Sequence, residues 1–266
     1  MSKTSHLVPA VAGLVLAAGA AAQTPYSKIH PYTNISLGLA FGDQDVETNT
    51  GNPNPGGRIQ TSETDATHFR IRGEHFFESE IGVFVGAYFG FADDINQDPP
   101  LSSPSSSWDS TGLFLALSYR ATMEKMFRMP IRFGPFLQSA EEQDTTFVNG
   151  NIERSMYGLR LSAEPEIIVM KSESDGKWSE LVAFTELTCG AGPAKVEDNV
   201  DSEDGYAFTF SWELGMRYRL TSGLYFGLSY FAQKVHTGTT ESYNRVAFFG
   251  VDDDFTGIMI TAGFRF

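Results

Sequence analysis

With a single cysteine, Cys189, in 266 residues, the chain cannot close an internal disulfide, so no covalent staple holds the fold. Cys189 also lies far from the N-terminus, which excludes lipid attachment at a processed N-terminal cysteine. Basic residues are scarce: 19 Lys and Arg stand against 33 Asp and Glu, a balance that sets nucleic acid aside as a partner. Long apolar runs are missing as well. The longest, Leu7 to Ala18, falls short of the about 20 residues a membrane helix needs, and nothing after it comes closer. A membrane location, if there is one, is therefore not reached by helices, which leaves a water-soluble fold or a β-barrel. No proline-rich or Gly/Ser linker separates halves of different composition, so one domain is expected.

The N-terminus has a recognisable layout. Lys3 precedes the apolar run, and Ala20-Ala21-Ala22 stands before Gln23, the three-part arrangement of a cleavable secretory signal. This predicts a leader over residues 1–22 and a mature domain over 23–266.

Beyond it, apolar residues alternate with small, polar or charged ones, the period of a β-strand with two different faces. Tyr206, Phe208, Phe210, Trp212, Leu214, Met216, Tyr218 and Leu220 share one face; Ala207, Thr209, Ser211, Glu213, Gly215, Arg217 and Arg219 share the other. The same pattern runs through Ile35–Phe41, Phe69–Ile71, Ile81–Phe91 and Leu113–Tyr119. It continues through Ile131–Leu137, Tyr157–Ala163, Leu181–Ala191, Leu224–Gln233 and Phe255–Phe266, and is least regular after Leu181, where Val182 and Phe184 blur it. About ten strands of about ten residues each are expected, and eight or twelve would also give an even count.

The connectors alternate in length. Val46–Asp65, Ala92–Ser110, Ser139–Arg154, Pro193–Gly205 and His236–Asp254 read as long loops; Glu78–Glu80, Thr122–Met129, Lys171–Ser179 and Thr221–Gly223 read as shorter turns. That asymmetry is expected of an antiparallel up-and-down transmembrane β-barrel, with both chain ends on the periplasmic side. A soluble sandwich or lipocalin-like barrel would alternate too. The aromatic content, 22 Phe, 10 Tyr and 3 Trp, much of it on the apolar face near strand ends as in an interfacial girdle, favours the membrane barrel.

The final residues, Ile258-Met259-Ile260-Thr261-Ala262-Gly263-Phe264-Arg265-Phe266, resemble the C-terminal assembly signal of bacterial outer-membrane barrels, carried by Phe264 and Phe266 and departing from the pattern at Thr261. Trp212–Arg219, followed by a tight turn and Leu224–Phe231, resembles the late hairpin of small porin-like barrels, including the Legionella-type pore-forming outer membrane protein family. The resemblance implies an outer-membrane location, outer-membrane lipids as surroundings, and periplasmic chaperones and the barrel-assembly machinery as partners.

Parity places Arg70, Arg72, Glu74, Arg120, Arg132, Arg160, Glu164, Glu186, Glu213, Arg217, Arg219 and Arg265 on the lumen face, with Phe84, Tyr88, Phe114, Phe136, Tyr225 and Phe231 among them. The lumen is expected to hold paired charges, either as a narrow anion-favouring channel or as a network filling a closed barrel. The acidic groups Asp93-Asp94, Glu197-Asp198, Glu203-Asp204 and Asp252-Asp253-Asp254 fall in the expected loops. Asp93–Asp98 has oxygen ligands but lacks the glycine and terminal glutamate of a calcium loop. His68 and His75 are seven apart and face opposite ways, so they cannot share a metal. His236, followed by Thr237, Thr239 and Glu241, is the one cluster of suitable type for an enzyme, and it matches neither the His-x-Ser element of lipid A deacylases nor the Asp-x-His element of outer-membrane proteases. No cofactor, metal or catalytic residue is assigned. The expected function is a small porin-like channel for ions or small polar solutes; the alternatives are a non-conducting structural or loop-binding barrel and, third, a lipid-modifying enzyme.

Overall fold

The computed structural model describes residues 32–50, 58–77, 80–92, 96–98, 107–124, 127–145, 150–174, 177–197, 202–239 and 249–266. The expected leader, 1–22, lies outside them. The strands, in chain order, are β1 (Tyr32–Thr50), β2 (Arg58–Phe76), β3 (Ile81–Ala92), β4 (Asn96–Asp98), β5 (Trp108–Glu124), β6 (Phe127–Thr145), β7 (Gly150–Ala163), β8 (Glu166–Ser174), β9 (Lys177–Glu197), β10 (Ser202–Arg219), β11 (Leu224–Thr239) and β12 (Phe249–Arg265).

They occupy ten positions around a closed antiparallel barrel. β1 pairs with β2 on one side and with β12 on the other, so the sheet closes on itself. β3 and the short β4 both pair with β2 and share one position. β7 and β8 share another, between β6 and β9. Pro165, which has no N–H to give to the ladder, separates β7 from β8, and its carbonyl still accepts a hydrogen bond from Thr185 N at 3.1 Å. In the hairpin between β10 and β11, Gly223 adopts φ 91°, the left-handed region where a side chain is disfavoured. The last residue is tied into the ladder through Thr33 N to Phe266 O at 2.8 Å and Phe266 N to Thr33 O at 3.0 Å.

The strands are longer than the sequence suggests. β9 runs 21 residues and β1, β2 and β6 run 19 each, so most of the expected long loops are strand. Thr48↔Val251 and Glu47↔Asp252 remain paired, as do Ser202↔Glu197. Asp252, Asp253 and Asp254 thus belong to β12 rather than to a loop, and Glu203 and Asp204 to β10. The reason is physical. Past the apolar band the outer face carries Asp43, Asp45, Glu63 and Asp65 instead of Leu and Phe, so the contrast between faces fades while the backbone ladder continues.

Outward side chains form an apolar belt. Leu117, Leu228, Leu137, Leu159, Leu214, Ile258 and Ile260 are each more than half exposed, far beyond the apolar surface a water-soluble fold leaves uncovered. Aromatics border it at both ends: Tyr119 and Tyr218 close to the tight turns, and Phe41 and Phe91, both paired with Thr67, toward the other rim. Val182 and Phe184, which blur the period of β9, are fully buried on its lumen side.

Candidate functional site

The lumen is built from the inward positions of all ten barrel positions, and its chemistry follows from their order along the axis. Near the tight-turn end, Arg120 lies over the Tyr32 ring at 5.0 Å and the Phe76 ring at 5.1 Å, and Arg265 covers Tyr32 at 3.8 Å, cation–π contacts of ordinary geometry.

Above this mouth lies an ion-pair network. Arg132, on β6, gives Nε to Glu74 Oε1 at 2.7 Å, Nη2 to Glu74 Oε2 at 3.0 Å and to Glu164 Oε2 at 2.7 Å, and reaches Glu186 at 3.4 Å. Arg217 donates to Glu164 and, at 3.1 Å, to Glu166; Arg219 donates to Glu166 at 2.6 Å and lies 3.8 Å from Glu180. Arg72 pairs with Glu186, Arg70 with Glu213 at 2.8 Å and Arg128 with Glu180 at 3.7 Å. Ser118, Ser162 and Ser229 donate their hydroxyls to Glu74, Glu186 and Glu213. Glu74, Glu164, Glu166, Glu186 and Glu213 therefore each meet more than one donor, and Glu180 lies within 4.0 Å of Arg128, Arg219 and Lys171, the condition under which buried charges are tolerated.

Toward the opposite rim the lumen turns apolar. Val46, Ala66, Trp108, Ile152, Val196, Val251 and Phe255 form a buried cluster, and the His68 ring stacks on Phe255 at 3.9 Å and on Trp108 at 5.6 Å. One ion pair crosses it, Arg154 to Asp253 at 2.6 Å, with Trp108 Nε1 donating to Asp253 at 3.3 Å. Between network and cluster remains a cavity of about 60 Å³ lined by His68, Arg70, Arg72, Tyr88, Arg160 and Glu186, among others.

Each sequence-selected charge thus sits on the inward face, and Arg70, Arg72, Glu74, Arg132, Glu164, Glu186, Glu213, Arg217 and Arg219 are joined in the ion-pair network. Arg120 and Arg265 stay at the mouth, and Arg160 lies against Phe136 at 4.7 Å and Phe114 at 5.5 Å. Sequence reasoning missed Arg128, Arg154, Glu166, Glu180 and Asp253. The signal was present, since Arg128 has the parity of Arg132, Glu166 that of Glu164 and Glu180 that of Glu186. Arg128, Arg154 and Asp253 lay in segments read as turns or loops, and Glu166 and Glu180 lay just beyond the ends of the expected strands.

On the outer face at the far rim, above the apolar belt, His236 Nδ1 lies 3.0 Å from Asp252 Oδ1, with the Tyr206 ring 5.8 Å away. Thr237 and Thr239 are buried and Thr237 faces the lumen, so neither of these hydroxyls meets the imidazole; Glu241 lies outside the described residues. A cross-strand row of Glu63, Asp45, Asp254 and Lys234 runs beside it. Partial burial, reinforced by Glu63, Asp254 and Asp43, raises the Asp45 carboxyl above its ordinary value, whereas the hydrogen bond to Asp254 raises the Lys234 ammonium. His68 faces the lumen and His75, hydrogen-bonded to Thr33 at 2.9 Å, faces outward. Residues 93–95 of the Asp93–Asp98 stretch lie outside the described residues.

Comparison of the fold with solved structures gives architectural likenesses at very low identity. The outer membrane protease OmpT from Escherichia coli aligns over 88% of this chain and 97% of its own, at 9% identity and a TM-score of 0.48. The translocator domain of the autotransporter NalP from Neisseria meningitidis aligns over 97% and 96%, at 8% identity and a TM-score of 0.33. A TodX monoaromatic hydrocarbon channel variant aligns over 88% and 90%, at 8% identity and a TM-score of 0.34. No family model and no curated protein matches the chain, so the narrower likeness to the Legionella-type family gains no support.

Proposed function

We propose that this chain is a non-conducting β-barrel of the bacterial outer membrane, whose work is done by its surface and rim rather than by transport through its centre. The observation that carries this reading is the filling of the lumen at two successive levels. An ion-pair network around Arg132 and Arg217 fills the lower level, and the apolar cluster around Trp108 and Phe255 seals the upper one. A hydrated pore needs water beside its charged groups; here Arg132, Glu164 and Glu213 are almost fully buried, and their partners are other lumen side chains: Glu74, Glu164 and Glu186 for Arg132, Arg217 for Glu164, Arg70 and Ser229 for Glu213.

The belt of exposed Leu, Ile and Phe supports insertion in a bilayer, with outer-membrane lipids against it. The paired outward and terminal rings of Phe264 and Phe266, 5.5 Å apart, suit the assembly signal that the C-terminus resembles, and with it delivery by periplasmic chaperones to the barrel-assembly machinery.

The test is single-channel recording in planar bilayers on refolded protein whose heat-modifiable, β-rich fold has been verified. A silent membrane is the expected result. Reproducible current steps, altered in ion selectivity by Arg217→Glu, would restore the porin-like reading.

A further inference from the structure

Among the described residues, the lumen network leaves one buried cation without an acid within 4.0 Å. The six glutamates Glu74, Glu164, Glu166, Glu180, Glu186 and Glu213 each face an arginine within 4.0 Å. Arg160 is not among those arginines. Less than a tenth of it is exposed, its Nη2 lies 3.5 Å from the neutral Gln138, its Nε has no partner among the described residues, and its other neighbours are the neutral Tyr88 hydroxyl and the Phe114 and Phe136 rings. A guanidinium cannot shed its proton to escape burial, and an uncompensated buried charge is strongly unfavourable.

Arg160 lines the lumen cavity, and so does His68, whose buried Nε2 also lacks a partner among the described residues; the hydroxyl-bearing Thr188 and Ser211 line it too. Glu186 is the one carboxylate in that lining. It does not neutralise Arg160, because its Oε1 takes the Ser162 hydroxyl at 2.9 Å and Arg132 at 3.4 Å, and its Oε2 takes Arg72. At about 60 Å³ the cavity holds a few water-sized particles, each needing on the order of 10–15 Å³ by this measure. It has no room for a bulky organic acid.

We propose that this cavity is a binding site for one small monovalent anion of halide size, held by Arg160 with His68 and the neighbouring hydroxyls. One positive charge is in surplus, which fixes the valence, and the volume fixes the size. The site goes beyond the sealed-barrel reading, since a conducting barrel could hold the same ion; conductance and binding are measured separately.

Thermal unfolding of the refolded mature chain in detergent tests it, comparing sodium chloride with sodium gluconate at equal ionic strength. Gluconate matches the charge but does not fit. The midpoint is expected to rise by a few degrees as chloride replaces gluconate and then to saturate, as for any ligand that binds the folded state alone. Arg160→Met is expected to remove that dependence. Equal midpoints in the two salts for the unaltered protein, or an undiminished chloride response in Arg160→Met, would overturn the proposal. Should that variant not fold, crystals of the unaltered protein grown in sodium bromide decide: an anomalous peak beside Arg160 supports the site, and a cavity without one overturns it.

Discussion

Arg132 on β6 grips Glu74 on β2 from across the lumen by two parallel hydrogen bonds, 2.7 Å and 3.0 Å long. Fork-to-carboxylate geometry of this kind is the strongest form of ion pairing available to a protein, and its place at the centre of the network makes it a point where stability concentrates.

Arg132→Met should leave Glu74 short of its guanidinium and Glu164 and Glu186 each short of a donor. Breaking a buried pair from one side costs about 3–5 kcal/mol, read as a lowered urea midpoint for the barrel in lipid vesicles. Adding Glu74→Met should recover part of the loss, because two apolar side chains replace a severed pair. A single substitution no worse than an ordinary surface change would show that the network is not structural.

The apolar belt carries a second expectation. Leu117 is among its most exposed members, and Leu117→Arg should cost about 2–4 kcal/mol if that position faces the bilayer midplane. Lys234→Leu, at the polar rim, should change stability by less than about 1 kcal/mol. Comparing both variants in the same vesicles separates a lipid-facing belt from a belt covered by some other protein.

Glycine on the lumen face makes room for aromatic side chains. A Cβ on Gly112 would lie 2.1 Å from the Tyr88 ring, so Gly112→Val should displace that ring and destabilise the barrel by about 1–3 kcal/mol, the usual cost of overpacking. Tyr88→Ser in the same chain should relieve much of it. If Gly112→Val alone is neutral, the ring is not fixed where it stands.

At the rim, Asp45 faces Glu63 on one neighbouring strand and Asp254 on the other. Burial and these like charges raise its folded pKa, so its protonated form is the one folding favours. The stability it contributes is present below its ordinary carboxylate pKa and is lost as pH rises through the raised folded value. Asp45→Asn should therefore increase the urea midpoint at neutral pH, and the advantage should vanish in acid below the ordinary carboxylate range. An advantage unchanged across that range would remove charge repulsion as its cause.

Much of this was legible in the sequence. Alternation alone separates Leu214 and Met216 from Glu213 and Arg217, because neighbouring residues of a strand point to opposite faces whatever the strand pairs with. The strand ends were not legible. Asp252 to Asp254 read as a loop because three consecutive carboxylates show no apolar face, and the ladder that holds them depends on β1 and β11 rather than on any local preference.

The sequence by itself determined a disulfide-free, two-faced, all-β chain with arginine and glutamate sharing one face. Tertiary structure decided which arginine meets which glutamate. Arg72 and Glu186 are 114 residues apart, Arg132 and Glu74 58 apart, and they meet only because β12 closes onto β1 and the stagger of the closed sheet fixes the height of each side chain across the lumen. The same closure leaves Arg160 at a height where, among the described residues, no carboxylate comes within 4.0 Å of it.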